Sequence, residues 1–133
     1  MYNLKSIMGN ITSNKEERKS FKNIRTYDER FSESQKILQK FPDRIPIIVE
    51  KSSYATTMSD IDKNKYLVPD NLTMGQFAFV IRKRVKMPPE QALFFFIGQI
   101  IPAMNMQLNE IYVKNKDVDG FLYITYSNEN TFG

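Results

Sequence analysis

The chain of 133 residues contains no cysteine, no histidine and no tryptophan. The absence of cysteine excludes a disulfide framework, a cysteine nucleophile and a thiolate metal site. The absence of histidine removes the most common general base and the most common metal ligand of proteins. The side chains that remain for catalysis are carboxylates, lysine, tyrosine and hydroxyls, and they form no recognisable catalytic constellation. We therefore expect no enzyme activity, no metal site and no cofactor.

Glycine and long apolar runs are also scarce. The five glycines form no glycine-rich loop, so nothing indicates a nucleotide site. The longest apolar run, residues 92–97, is far shorter than the ~20 residues of a transmembrane helix, and the first residues do not make a secretory signal. The simplest expectation is a soluble protein of a reducing compartment, most simply the cytosol.

The formal net charge is modest, +4, and the whole excess of basic side chains lies in the first half of the chain. The first 66 residues carry 13 basic and 9 acidic side chains, whereas the remaining 67 carry 6 of each. This excess favours an acidic partner, such as a phosphate group, an anionic membrane or an acidic peptide. We do not expect nucleic acid binding, because the basic surface is not dense and the aromatic residues mostly fit a core.

The first 19 residues look separate from the rest of the chain. Four apolar side chains recur there at the helical spacing i, i+3, i+4 and i+7, namely Leu4, Ile7, Met8 and Ile11. Gly9 lies within this stripe, so a helix would be marginal on its own. Two interpretations stay open: a frayed end, or an amphipathic arm that touches a membrane or covers the protein itself.

Two longer helices each begin with a capping box, in which two side chains three residues apart each satisfy a free backbone N–H. The pairs are Thr26 with Glu29 and Thr73 with Gln76. The buried stripe predicted for the first helix consists of Tyr27, Phe31, Ser34, Leu38 and Phe41. Ile37 lies one position off this stripe, so we expect it to be partly exposed.

Four segments have the β-branched and aromatic content of strands: residues 44–51, 65–69, 93–97 and 121–126. The run at 93–97 is apolar on both faces, which is typical of a strand that is covered on both sides or central in a sheet. A short helix is expected between the last two strands, with its inward side chains being Met104, Leu108, Ile111 and Tyr112.

Some apolar side chains fall on faces that should contact water. They are Ile37, Pro46, Ile48, Leu67 and Phe121. Either they form a patch large enough to mark a binding groove, or an N-terminal helix covers them, and the residues alone do not decide between the two. The elements together predict an α+β fold compatible with a ubiquitin-like β-grasp.

Longer strings make a family resemblance specific. They are DRIPIIVEK at 43–51, DIDKNKYLVPDNLTMGQFAFVIRKRV at 60–85, MPPEQALFFFI at 87–97 and DGFLYITYSNENTFG at 119–133. They closely resemble the ubiquitin-like modifiers of autophagy, the autophagy-related protein eight family, which includes the microtubule-associated light chain and the GABA-receptor-associated protein. The resemblance spans residues 18–133 apart from about one extra residue at 52–59. Residues 1–18 have no counterpart in the shorter members, and Gln107 stands where an aliphatic residue is usual.

The resemblance implies a β-grasp fold with two additional N-terminal helices and three regions: an extension at 1–19, a ubiquitin-like domain at 20–126 and a flexible conjugation tail at 127–133. It also implies that activating and conjugating enzymes join Gly133 to phosphatidylethanolamine on autophagosomal membranes. The resemblance further implies that these enzymes and a processing cysteine protease contact Phe132. The protein would be a monomer in the cytoplasm until it is lipidated.

The family binds receptors with aromatic-x-x-aliphatic motifs and acidic flanks by adding a parallel strand to a sheet edge. The resemblance places the aromatic pocket at Glu33, Ile37, Pro46, Ile48, Lys65, Leu67 and Phe121. It places the aliphatic pocket at Tyr66, Val68, Pro69, Leu72, Phe77 and Val80. The acidic flank would meet Arg44, Lys63, Lys65 and Arg84.

Two alternative functions stand beside this hypothesis. The protein could be an unconjugated adaptor that binds peptides or a cytoskeletal surface through its groove and its basic N-terminal half. It could also be a small enzyme, but no residues support that function.

The position of the edge strand is a further open point. Proline favours the strand at 44–51 as the edge, whereas the resemblance assigns the edge to residues 65–68, and Pro46 must then lie at an unpaired strand start.

Overall fold

The computed structural model describes residues 20–55 and 57–129. The predictions for residues 1–19, Phe132 and Gly133 therefore lie outside the described residues. The elements are α1 (Phe21–Ile24), α2 (Tyr27–Lys40), β1 (Arg44–Lys51), β2 (Lys65–Pro69), α3 (Met74–Val85), β3 (Phe94–Phe96), α4 (Leu108–Asn115) and β4 (Leu122–Ser127). The last strand runs one residue beyond its predicted end, and its final residue, Ser127, is buried.

Both predicted capping boxes are confirmed. At the start of α2, the Glu29 N–H donates to Thr26 Oγ1 at 3.1 Å, and the Thr26 N–H donates to Glu29 Oε1 at 2.9 Å. Thr73 and Gln76 make the same pair of bonds at the start of α3, at 3.1 and 2.9 Å. Each pair satisfies two backbone donors that the first turn of a helix leaves free, so local sequence determines where these helices begin.

The four strands form one mixed sheet in the order β2-β1-β4-β3. The central strands β1 and β4 are parallel, and the flanking strands β2 and β3 are antiparallel to them. The helices α3 and α4 bury Phe77, Ile81, Leu108 and Ile111 against Ile47 and its neighbours on one sheet face. The helices α1 and α2 cover the opposite face, where a smaller cluster forms around Ile48 and Phe121.

The position of Pro46 in a central strand has a simple explanation. The Val49 N–H donates to Asn64 O on the β2 side, so alternation along β1 turns the nitrogen of Pro46 towards β4. Pairing with β4 begins only one residue later, at Ile47 opposite Leu122. Pro46 therefore lies at an unpaired start on that side, and β2 is the edge strand. The preference for residues 44–51 as the edge was wrong.

The prediction that Tyr27 and Phe31 lie in the buried stripe of α2 was also wrong, because their side chains are 44% and 40% exposed. The fully buried residue of this helix is Ser34, whose Oγ donates to the carbonyl oxygen of Asp119 at 2.6 Å. This bond holds the Ser34 side of α2 against the turn that precedes β4. Ile37 lies half-buried on the inward side of the helix, as expected.

The other apolar predictions have mixed outcomes. Leu108, Ile111 and Tyr112 are buried, but Met104 is 43% exposed, because α4 begins only at Leu108 and Met104 reaches α3 through its carbonyl oxygen. Phe95 and Phe96 are both buried, which confirms a strand covered on both faces. The alternative of a central position was wrong, since β3 lies at the end of the sheet.

Candidate functional site

The candidate site is the outer edge of β2. Among the described strands β2 pairs with β1 alone, so its outward N–H and C=O groups face away from the sheet. Side chains alternate along it: Leu67 lies on the face of α1 and α2, and Tyr66 lies on the face of α3. The edge therefore separates two side-chain surfaces, which is the geometry that an added peptide strand uses.

The surface on the α2 side is largely covered by the N-terminal helices. Ile48 and Phe121 are fully buried, and Phe21 from α1 packs edge-on against Phe121 with ring centroids 5.3 Å apart. Pro46 is buried as well. Of the two interpretations left open by the sequence, cover by an N-terminal helix therefore holds for Ile48 and Phe121, since Phe21 packs on both.

Two apolar side chains on this side remain half-buried, namely Ile37 and Leu67. Pro46 and Leu67 are register partners across β1 and β2, and so are Ile48 and Lys65. Leu67 therefore lies on the same sheet face as Ile48, and Ile37 packs from α2 against the cluster that contains Ile48, so these side chains mark the α2 side of the edge.

An ion pair between Lys65 and Glu33 connects β2 to α2. The Lys65 ammonium also lies 5.3 Å from the centroid of the Phe21 ring. Both charged side chains remain about one-third exposed, so the pair contributes little to stability. The ammonium group is accessible to an anionic ligand that approaches along the edge.

The surface on the α3 side has a buried floor and an open rim. Tyr66, Val68 and Phe77 form the floor, with the Tyr66 and Phe77 rings packed edge-on at 5.6 Å. Leu72 is half-buried, and Pro69 and Val80 are exposed. The Tyr66 hydroxyl has no hydrogen-bond partner among the described residues, and burial raises its pKa.

The predicted cations divide between the two ends of β2. Lys63 lies near the start of β2, with its ammonium 5.1 Å from the Tyr66 ring centroid. Arg84 pairs there with Asp62, at 3.3 and 3.4 Å. Arg44 lies at the opposite end, paired in register with Pro69. Lys63, Lys65 and Arg84 therefore form one basic end of the site, and Arg44 is separate from it.

The sequence analysis missed Asp119, which is fully buried between α2 and β4. Its Oδ2 accepts hydrogen bonds from Arg30 and from the Tyr123 hydroxyl, each at 2.5 Å, and its Oδ1 accepts the Phe121 N–H at 2.9 Å. Burial and the bond to Asp119 raise the pKa of Tyr123. This carboxylate positions Phe121 beneath the site, a role that no sequence pattern assigned to it.

The chain matches a known protein family over most of its length. A family model described as "Autophagy protein Atg8 ubiquitin like" matches residues 29–133. The chain belongs to the Atg8 family. Its members are ubiquitin-like autophagy proteins, and the ubiquitin-like fold with N-terminal helices is confirmed.

Relatives match over nearly their whole length. Autophagy-related protein 8 of Mycosarcoma maydis is 52% identical over 116 residues, which is 87% of this chain and 98% of the relative. The protein of the same name from Schizosaccharomyces pombe is 53% identical over 116 residues, which is 87% of this chain and 95% of the relative.

Solved Atg8 structures share the fold. The crystal structure of Trypanosoma brucei ATG8 superposes with a TM-score of 0.78 at 43% identity, covering 88% of this chain and all of that one. Plasmodium falciparum Atg8, solved in complex with a Plasmodium falciparum Atg3 peptide, gives a TM-score of 0.80 at 29% identity, covering 86% of this chain and all of that one. Within the described residues, no helix has both the length and the apolar character needed to cross a membrane.

Proposed function

We propose that this Atg8 protein is a modifier, not an enzyme, that is conjugated through Gly133 to phosphatidylethanolamine and recruits receptors carrying aromatic-x-x-aliphatic motifs. The observation that carries the receptor half of the proposal is the outer β2 edge between two apolar surfaces, which pairs with no further strand among the described residues and whose Leu67 carbonyl oxygen accepts a long hydrogen bond from Arg44, 3.4 Å. The conjugation half is supported by family membership and by the match of residues 119–133 to the family pattern.

The charge of the site supports a direction for the bound peptide. Lys63, Lys65 and Arg84 lie at the start of β2 and favour an acidic segment there. In a strand parallel to β2, residues that precede the motif lie at this end. The aromatic side chain then enters beside Leu67, and the aliphatic one, three residues later, reaches the surface of Leu72 and Val80 on the other face.

The proposed conjugation uses the carboxylate of Gly133. ATP converts it to an acyl adenylate with release of pyrophosphate, a cysteine thiolate of an enzyme displaces AMP, and the lipid amine displaces the thiolate to leave an amide. Because glycine has no Cβ, its carboxylate meets little steric hindrance. Phe132 is the proposed contact for these enzymes and for a processing cysteine protease.

The Atg3 peptide bound to the Plasmodium falciparum relative supports a conjugating enzyme as a partner of this chain. We place the protein in the cytoplasm as a monomer, and on autophagosomal membranes once the tail at 127–133 carries lipid. Nucleic acid is not a proposed partner.

Peptide titration tests the site directly. An acidic peptide with a Phe-x-x-Leu or Trp-x-x-Leu motif is expected to bind with micromolar affinity, about −8 kcal/mol. Leu67→Asp is expected to abolish binding, because it places a carboxylate beside the aromatic side chain and near the acidic flank. The matched control is Val113→Asp, at an exposed site on α4. Equal binding to the wild type and both variants would show that the edge of β2 is not the site.

A further inference from the structure

A second apolar surface lies outside the peptide site, on the solvent side of α2. Tyr27 and Phe31 stack there with ring centroids 5.7 Å apart. The Tyr27 hydroxyl donates to the carbonyl oxygen of Val118 at 3.3 Å, and the Val118 side chain is 80% exposed. We call Tyr27, Phe31 and Val118 the outer aromatic surface.

This surface is separate from the candidate groove. At 100° per residue, Phe31 lies roughly 120° around α2 from Ile37 and roughly 160° from Glu33, the two α2 residues at the groove. The inward contacts of the helix, through Arg30 and Ser34, hold it in this orientation against Asp119. The two aromatic rings therefore stay exposed while the helix is docked.

The chain itself supplies a matching apolar segment. The side chains at 4, 7, 8 and 11 form one stripe at helical spacing. Ile11 lies nine positions before Ser20, a distance of up to ~30 Å, and Ser20 and Tyr27 lie at most ~25 Å apart along the chain. The stripe can therefore reach the rings without any rearrangement of α1.

Charge is compatible with the same contact. The first 19 residues contain four cations and two carboxylates. Asp28 lies exposed three residues before Phe31 and so borders the same part of α2. The first turn holds the carboxylates of Asp28 and Glu29, while the Arg30 guanidinium lies 5.8 Å from the Tyr27 ring centroid, so the local charge is mixed and does not oppose the contact.

We propose that residues 4–11 bind the outer aromatic surface of the same molecule, with the apolar stripe against Tyr27 and Phe31. An attached segment has an effective concentration of about millimolar, so three exposed side chains suffice for a contact of modest strength. A second copy is disfavoured because a stable dimer buries ~800 Å² per partner, far more than this surface offers.

Paramagnetic relaxation tests this proposal on the full-length chain. Since the chain lacks cysteine, Ser6→Cys, which leaves the apolar stripe intact, accepts a single nitroxide label. We expect a loss of amide signal intensity at residues 27–31 and 118, and none at Val113 on the opposite side of the sheet. Phe31→Gln in the labelled chain is expected to restore the signals, whereas the matched control Val113→Gln is expected to leave the loss unchanged.

Three results would overturn the proposal. One is the absence of any localised loss of signal. Another is a loss that survives Phe31→Gln. The third is a loss that appears when labelled chain is mixed with separate isotope-enriched chain, which would assign the contact to a second copy. If no loss occurs but the wild type binds phosphatidylethanolamine vesicles and Ile7→Asp does not, the stripe contacts membrane and the proposal is wrong.

Discussion

At the scale of single residues, one carboxylate connects the N-terminal helices to the sheet. Asp119 is fully buried, and two side chains and a backbone N–H donate to it. A buried carboxylate is tolerated when its oxygens are paired in this way. The contact links Arg30 on α2 to the turn that precedes β4. It therefore holds α2 in place beside the candidate groove.

Replacing Asp119 should therefore be costly. Asp119→Ala leaves the nearly buried guanidinium of Arg30 and the Tyr123 hydroxyl without their acceptor, and we expect a loss of about 3–5 kcal/mol in the free energy of unfolding. The matched control is Asp62→Ala, which breaks an exposed pair with Arg84 and should cost less than ~1 kcal/mol. Urea denaturation measures both. Similar losses for the two variants would contradict a structural role for Asp119.

The attachment of α1 should depend on pH. Burial tends to raise the pKa of Asp117, but the hydrogen bonds from Lys22 at 2.7 Å and from the Asp119 N–H at 3.1 Å, together with the charge of Lys22, outweigh it and the pKa is lowered. A lowered pKa contributes stability above the unfolded value of about 3.9, and this is lost as pH falls through the folded value.

Asp117→Asn should accordingly destabilise the protein at neutral pH by less than ~1 kcal/mol, because Lys22 is largely exposed. The difference from the wild type should shrink as the pH falls below the unfolded value of about 3.9 and the folded Asp117 carboxylate takes up its proton. Denaturation at neutral and at acid pH measures it. A constant difference would show that ionisation of Asp117 does not stabilise α1.

At the scale of elements, short-range signals predicted where helices begin but not which way they face. The capping boxes act over three residues, and both helices start where the sequence indicated. The orientation of α2 depends instead on Ser34 bonding to Asp119, 85 residues later. No pattern within α2 contains that contact, so Tyr27 and Phe31 were assigned to the wrong side.

The close approach of α2 to the β4 turn gives a prediction of its own. Gly120 has φ +91°, and a Cβ there would lie 2.2 Å from Ser34 Oγ. Gly98 also has a positive φ, +63°, but open space around it. Gly98→Ala should cost about 1–2 kcal/mol from backbone strain alone, and Gly120→Ala at least ~1 kcal/mol more from the steric overlap. Equal losses of unfolding free energy for the two variants would show that α2 moves away from the added methyl group at no cost in stability.

At the scale of the whole molecule, composition alone predicted little beyond the absence of catalytic residues. The resemblance of four long strings supplied the fold and assigned the edge to β2, against the preference that Pro46 suggested. The residues alone left open whether an N-terminal helix covers the groove floor, because this cover depends on the packing of Phe21 against Ile48 and Phe121, about 30 and 100 residues away in the chain. The packing of the N-terminal helices is therefore the part that required the structure.

The proposed role of the protein as a modifier depends on the carboxylate of Gly133. The most direct test is intact mass before and after incubation with the conjugating enzyme pair, ATP and phosphatidylethanolamine liposomes. The wild type and Leu67→Asp should both gain the mass of one lipid, and a chain without Gly133 should gain none. A wild type that gains no mass, with enzymes proven active on a control protein, would contradict this role and leave a ubiquitin-like peptide-binding module.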